Sequence, residues 1–183
     1  MVLFDAARIT DLAVGVASLG GLPAGMAIQI DVDEGSMLQR VEVVSSELPS
    51  GLVLRVQGGA FEDRKHSRHL SDDAVRDALA RVFYRVGDRL TPGFAGAPAD
   101  GDLDLQHLTA WDAYSMGRAE RAGLPSERGR RRYHFRNRHG FTDTADAVFD
   151  RLWSASALDW NDIDAACAET AAARHAAGVK NSS

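Results

Sequence analysis

The chain has 183 residues, a net charge of −5 at pH 7 and one cysteine. This length fits one domain, or one domain with a helical annex, and a chain of this size folds without disulfides or a structural metal. A single cysteine cannot form an internal disulfide, and no stretch approaches the roughly 20 apolar residues of a membrane-spanning helix. We therefore expect a soluble, cytoplasmic protein whose acidic balance argues against general coating of nucleic acid.

Residues 1–90 predict an α-β-β-β-α core. The apolar spacing over Leu3–Leu19 predicts a helix that ends at Gly20. Period-two patterns then predict three strands, which short turns would join as an antiparallel meander. The predicted strands are Met26–Asp33, Met37–Val44 and Leu52–Gln57. Ser71 is a typical N-cap, and the amphipathic stripe after it predicts a second helix that packs on the sheet.

Residues 91–101 contain two prolines and three glycines, which predict a linker. Beyond it the strand patterns disappear, and helices are predicted over Leu103–Ala122, after a Thr142 N-cap, and after an Asp159 or Asn161 N-cap. The fold class is therefore α+β, with a helical region over residues 102–177 and a frayed tail over 178–183. The patterns leave open whether the two halves form one continuous domain.

The least usual feature is the arginine-rich segment, Gly117–Gly140, which carries eight arginines against two glutamates. Arginine outnumbers lysine 19 to 2 in the whole chain, and that bias alone does not concentrate eight arginines in 24 residues. The segment has a charge of +6 (8 − 2), which leaves −11 for the remainder of the chain. Charge is thus strongly separated along the sequence.

The conformation of the segment stays open. Residues 132–136 alternate cations and rings, so an extended backbone would place Tyr133 and Phe135 on one face. A helix from Ser126 to Gly140 would instead spread the arginines around its cylinder. The local pattern does not decide between the two.

Guanidinium groups bind carboxylate and phosphate in a bidentate manner and stack on rings, so the segment predicts an anion-binding or partner-binding site. Three interpretations remain. In the first, Thr142–Glu169, with a net charge of −6, neutralises the arginines within the fold or across an oligomer. In the second, an acidic partner protein binds them. In the third, the bases of single-stranded nucleic acid stack on the rings. The candidate residues are Arg118, Arg121, Arg128, Arg130, Arg131, Arg132, Tyr133, His134, Phe135, Arg136 and Arg138.

The remaining chemistry is sparse. His66 and His69 are three residues apart, but a zinc site needs further ligands at characteristic spacing, so we predict no metal and no cofactor. Cys167 lies on an apolar helical stripe, which favours a buried, inert thiol. Two aspartate clusters, at 100–104 and 159–164, are typical of helix starts and would form a site only if the fold brought them together.

These patterns favour a non-catalytic interaction protein, namely a homo-oligomer, assembly component or adaptor, whose arginine-rich segment contacts an acidic surface of its own or of a partner. The alternative is nucleic-acid binding by Arg118–Arg138 with Tyr133 and Phe135. The third hypothesis is a small enzyme that holds a phosphorylated or carboxylated metabolite at Arg128–Arg138. No membrane association is expected.

Overall fold

A computed structural model describes residues 4–63, 65–66 and 69–180, with the side chains of residues 179 and 180 left out. Within these residues the chain forms six α-helices and three strands. In chain order they are α1 (Ala6–Leu19), β1 (Ala27–Asp33), β2 (Val41–Glu47), β3 (Gly51–Gln57), α2 (Asp72–Arg89), α3 (Leu105–Arg121), α4 (Arg128–His139), α5 (Asp143–Ser154) and α6 (Trp160–Lys180). The predicted α+β class and element order are confirmed.

The chain divides into two compact units. The first unit comprises Met1–Leu90 with Ala122–Pro125, and the second comprises Thr91–Arg121 with Ser126–Ser183. All three strands belong to the first unit, whereas α3 to α6 form the second. The helical second half predicted from the sequence is therefore present.

The predicted antiparallel meander is wrong, because the strand order is β1-β3-β2. β2 and β3 form the expected antiparallel pair, but β1 runs parallel to β3 on its other side. The register places Ile28 beside Leu52 and Ile30 beside Leu54, so the apolar positions of both strands share one face. The sheet is therefore mixed.

The segment between β1 and β2 explains this pairing. A turn forms at Glu34-Gly35, where Ser36 donates its N–H to the Asp33 carbonyl at 3.2 Å, but it does not pair β1 with β2. Residues 37–40, predicted as part of β2, instead form a connection beside the end of β3, where Gln57 donates its N–H to the Arg40 carbonyl. Gly59 donates its backbone N–H to the carbonyl of Ser36 at 2.9 Å, and a Cβ at Gly59 would lie 2.1 Å from the Met37 carbonyl oxygen. A glycine is required there because the two backbones are in contact.

Of the two helices of the first unit, α2 begins after the predicted Ser71 N-cap, whereas α1 begins at Ala6 and not at Leu3 as predicted. The Ser71 hydroxyl accepts the N–H of Ala74 at 3.2 Å and caps α2, and Asp5 caps α1 in the same manner. The predicted start of the first helix at Leu3 lies outside the described residues. The two helices meet at glycines, since a Cβ at Gly87 would lie 2.0 Å from the carbonyl oxygen of Gly20.

The second unit packs around buried aromatic rings. Trp111, Phe135 and Phe149 are each fully buried, and Trp153 is nearly so. The predicted linker contributes to this core, because Phe94, in a short 3₁₀ turn, stacks on Trp111 with 4.8 Å between ring centroids. Residues 178–180 of the predicted tail continue α6, and residues 181–183 lie outside the described part of the chain.

Among the described residues, no helix combines the length and the apolar composition that crossing a membrane requires.

Candidate functional site

The core of the arginine-rich segment is helical and forms α4. Glu127 precedes the helix with a left-handed backbone (φ 47°), and Gly140 ends it with φ 99°, a conformation that favours glycine. The N–H of Gly140 donates to the carbonyl of Arg136 at 2.8 Å and closes the last turn. Of the two conformations that the sequence left open, the helix is the one observed.

One face of α4 is buried. Arg131, Phe135 and His139 follow at four-residue spacing, and each is less than a tenth exposed. The Phe135 ring stacks on the His139 ring with 3.8 Å between centroids and meets the edge of Phe149. Phe135 and Arg131, two of the candidate residues, therefore belong to the packing of this unit.

A second face of α4 is paired with acids of α5. Arg128 donates to Asp150 at 2.8 Å, and Arg132 bonds the same carboxylate. Arg136 binds Asp146 through two guanidinium nitrogens, and this bidentate contact lowers the pKa of the Asp146 carboxyl. The carboxylates thus occupy the positions at which a metabolite carboxylate or phosphate would bind these three arginines.

The two arginines of α3 also serve the fold. Arg118 lies 3.9 Å from the centroid of the Tyr114 ring, a cation–π contact. Arg121 donates to the carbonyl of Trp153 at 2.6 Å and to that of Ala155, so it caps the C-terminus of α5. Both contacts stabilise the packing of α3 in the second unit.

The third face of α4 is exposed, and we call it the outward face. It carries the rest of the candidate residues, and Phe141 extends it just beyond the helix. Tyr133 is 58% and Phe141 67% exposed, although apolar rings of this size are usually covered. Their ring centroids are 6.4 Å apart in an edge-to-face arrangement. The members of this face are Arg130, Tyr133, His134, Asn137, Arg138 and Phe141.

The charge on the outward face is cationic. Arg130 bonds Glu127 at 3.3 Å in an exposed pair. Arg138 is exposed, and the side chains of Gln106 and Arg174 donate to its backbone carbonyl rather than binding its guanidinium group. His134 is exposed next to Tyr133. Two exposed rings thus lie among cations on one side of one helix.

Sequence reasoning missed a cluster around His107. Its Nδ1 lies 2.8 Å from Asp104 and its Nε2 3.0 Å from Asp164, while its ring stacks on Trp160. Burial acts to lower the pKa of His107, but the hydrogen bonds to Asp164 and Asp104 outweigh it, so the pKa is raised. The sequence analysis named the two aspartate clusters that contain Asp104 and Asp164, but it did not identify His107, which lies 57 residues before Asp164 and contacts both acids.

The two carboxylates of this cluster bind both nitrogens of the His107 ring. Both ring nitrogens donate to carboxylates when the ring is protonated, so neither lone pair is available to accept a proton from a substrate. The cluster joins the first turn of α3 to the first turns of α6. Within the described residues, no group of three or more His, Cys, Asp and Glu side chains is arranged to hold a metal ion.

His139 and Cys167 are buried groups of a different kind. Burial lowers the pKa of His139 to about 4, so the ring is neutral at pH 7. The neutral tautomer with a proton on Nε2 fits its surroundings: Nε2 donates to the Gln106 carbonyl at 3.1 Å, and Nδ1 accepts from Thr170 at 2.7 Å. Burial raises the pKa of Cys167 to about 12, so its thiol stays protonated.

Comparison of this chain with protein-family models, with curated proteins and with solved structures finds no match.

Proposed function

We propose that this chain is a non-catalytic interaction protein that uses the outward face of α4 to contact an acidic protein surface. The observation that carries the proposal is that some side chains of the arginine-rich segment are paired within the fold while neighbouring rings stay exposed. Arg128, Arg132 and Arg136 are paired with α5, whereas Tyr133 and Phe141 remain exposed. Aromatic and arginine side chains in one exposed patch are typical of protein interfaces.

The titratable groups support a non-catalytic role. A nucleophilic thiolate requires a lowered pKa, and the pKa of Cys167 is raised by burial. A general base requires an accessible lone pair, and both nitrogens of His107 are held by carboxylates. The arginines that would hold an anionic metabolite face Asp146 and Asp150 instead.

A defined acidic probe tests the proposal. We would titrate the protein into a fluorescent peptide rich in Asp and Glu and measure anisotropy at about 50 mM and about 300 mM salt, because screening weakens exposed charge contacts. We expect binding at low salt that weakens at high salt. The double variant Tyr133→Ser/Phe141→Ser should bind roughly tenfold less tightly or worse, since ring truncation at an interface typically removes 1 kcal/mol or more.

The matched control is Met37→Ser, which removes an exposed apolar side chain (74% exposed) from the first unit. It should bind the peptide as the wild type does. Equal binding by the wild type and the double variant would contradict the proposal, as would no binding to wild-type protein that light scattering shows to be monomeric.

Nucleic-acid binding is the second candidate, because the exposed rings lie beside Arg130 and Arg138, and bases stack on such rings. A single-stranded oligonucleotide with the same net charge as the peptide distinguishes the two partners. Tighter binding to the oligonucleotide, with a steep decrease as salt rises, would favour nucleic acid. No retardation of single- or double-stranded DNA or RNA at about 50 mM salt would exclude it.

A further inference from the structure

Exposed residues of opposite charge flank Phe141 in the sequence, one on the cationic outward face and one in the first turn of α5. Arg138 lies three residues before this ring and Asp143 two residues after it, and both side chains are exposed. Within the part of the chain that the structure describes, the Arg138 side chain makes no hydrogen bond or ion pair, and Asp143 makes no ion pair. The patch therefore presents an exposed cation, an exposed ring pair and an exposed anion.

This order of charges is complementary to itself. A two-fold axis relates two copies so that residue i of one faces residue j of the other and the reverse. With the axis near Phe141, the Arg138 of each copy would face the Asp143 of the other. The rings of Tyr133 and Phe141 from both copies would then fill the centre and be removed from water, which favours association.

We propose that a second copy of this chain is the partner of the outward face, and that the two copies form a symmetric dimer with reciprocal Arg138–Asp143 pairs. This inference rests on the proposed function, and the acidic group that it brings to the outward face is Asp143 of the second copy. α4 is 12 residues long, which gives an exposed stripe of roughly 18 Å. A contact made by one stripe of this length buries little surface, so we expect a reversible dimer with a micromolar Kd.

Charge reversal tests the reciprocal pairs. Sedimentation equilibrium of the wild type should show a monomer–dimer equilibrium. In Arg138→Glu, two Glu–Asp contacts replace two attractive pairs, and in Asp143→Arg, two Arg–Arg contacts replace them. Each single variant should weaken the dimer roughly tenfold or more, since like charges at an interface repel.

Mixing the two single variants gives the most specific readout. In a heterodimer of Arg138→Glu with Asp143→Arg, the introduced Glu faces the introduced Arg, and the native Asp143 faces the native Arg138. An equimolar mixture should therefore recover the wild-type Kd, which neither variant reaches alone. Recovery shows that residue 138 of one copy faces residue 143 of another, and a stoichiometry that stops at the dimer distinguishes a two-fold contact from a head-to-tail one, which would continue to larger assemblies.

The matched control pair is Arg40→Glu and Asp11→Arg, two exposed positions of the first unit, and neither variant nor their mixture should change the Kd. Because both test positions favour the dipoles of α4 and α5, circular dichroism and a melting curve must show that each single variant is folded. Tyr133→Ser/Phe141→Ser keeps the charges and should also shift the chain to monomer.

A wild type that is monomeric at about 100 µM would overturn the dimer, as would a dimer that all these variants leave unchanged. Weakened single variants that do not recover on mixing would also reject it. If the chain is monomeric and still binds the acidic peptide through Tyr133 and Phe141, only the dimer fails and the proposed function stands. If Tyr133 and Phe141 contribute neither to dimer formation nor to peptide binding, both the dimer and the proposed function are rejected.

Discussion

Gly117 lies in the middle of α3 where this helix passes α5. A Cβ at Gly117 would lie 2.0 Å from the carbonyl oxygen of Trp153, a distance at which atoms overlap. The obstacle is the backbone of α5 rather than a flexible side chain, so it moves only if the helix moves. The glycine therefore sets how closely the two helices approach, and it also lets Arg121 reach the end of α5.

The variant Gly117→Ala should lower the free energy of unfolding by about 2–3 kcal/mol, because overpacking a helix contact displaces backbone. Gly129→Ala is the matched control, since a Cβ at Gly129 in α4 meets nothing within 4 Å. That change should stabilise the protein by up to about 1 kcal/mol, as alanine is a better helix former. Urea unfolding followed by tryptophan fluorescence measures both, and equal effects would contradict the role of Gly117.

At the scale of elements, α4 and α5 are joined by a ladder of charges. Arg128 and Arg132 contact Asp150, and Arg136 contacts Asp146. Residues later in α4 therefore contact residues earlier in α5. The two helices are therefore antiparallel along this face. The four-residue spacing of the arginines and of the aspartates places each set in one row.

Asp150 is the centre of this ladder because it binds two arginines. Asp150→Asn removes its charge and leaves two guanidinium groups close together, so we expect a loss of about 1–2 kcal/mol in the free energy of unfolding. The loss should shrink in high salt, which screens the repulsion.

Glu169→Gln is the control for Asp150→Asn, because Glu169 pairs with a single exposed arginine, Arg151. Its effect should be below about 0.5 kcal/mol, the usual range for an exposed pair. Urea unfolding at low and high salt measures both variants. The ladder would have no energetic role if Asp150→Asn and Glu169→Gln were equally stable.

At the scale of the whole molecule, the sequence predicted what depends on local patterns. The N-caps Ser71 and Thr142 and the amphipathic stripe of α2 are local signals, and each helix begins where they indicate. Strand pairing is decided by contacts distant in sequence. The period-two pattern of β1 is satisfied equally by a parallel or an antiparallel neighbour, so it could not place β1 beside β3.

The candidate site shows the same limit. An alternation such as Arg132–Arg136 fits a strand, yet the segment is helical because Arg131, Phe135 and His139 form a buried row. That row is visible only when helical spacing is assumed in advance. The convergence of Asp104 and Asp164 on His107 depends on the packing of α3 against α6, which residue spacing does not encode.

Two histidines change the stability of the fold with pH in opposite directions, because the pKa of His139 is lowered and that of His107 is raised. The pKa of His139 is lowered to about 4 by burial, against an ordinary value of 6.5, so the unfolded chain binds a proton between these pH values and the folded chain does not. His139 therefore destabilises the fold as pH falls from about 6.5 to about 4. Arg174 and His107 act in the same direction on its pKa, and Asp104 opposes them.

His107 has the opposite effect on stability. Burial acts to lower its pKa, but the bonds to Asp164 and Asp104 outweigh burial, so the pKa is raised. Its stabilisation is fully present below the unfolded pKa and is lost as pH rises through the folded pKa. The lowered pKa values of Asp104 and Asp146, set by hydrogen bonds to His107 and Arg136, matter only in more acidic solution, where these carboxyls become protonated.

We therefore expect the wild type to lose about 3 kcal/mol of stability through His139 between about pH 6.5 and pH 4, and His139→Gln to lack this loss. The variant is less stable at about pH 7.5, since it loses the stack on Phe135, but its curve should be flatter through this window. The three tryptophans lie in the second unit with His139, so their fluorescence during urea unfolding reports on the relevant unit. His107→Gln is the comparison, and its loss of stability should be larger at about pH 5.5 than at about pH 8.5. Parallel curves for the wild type and His139→Gln would show that the buried ring does not govern the acid response.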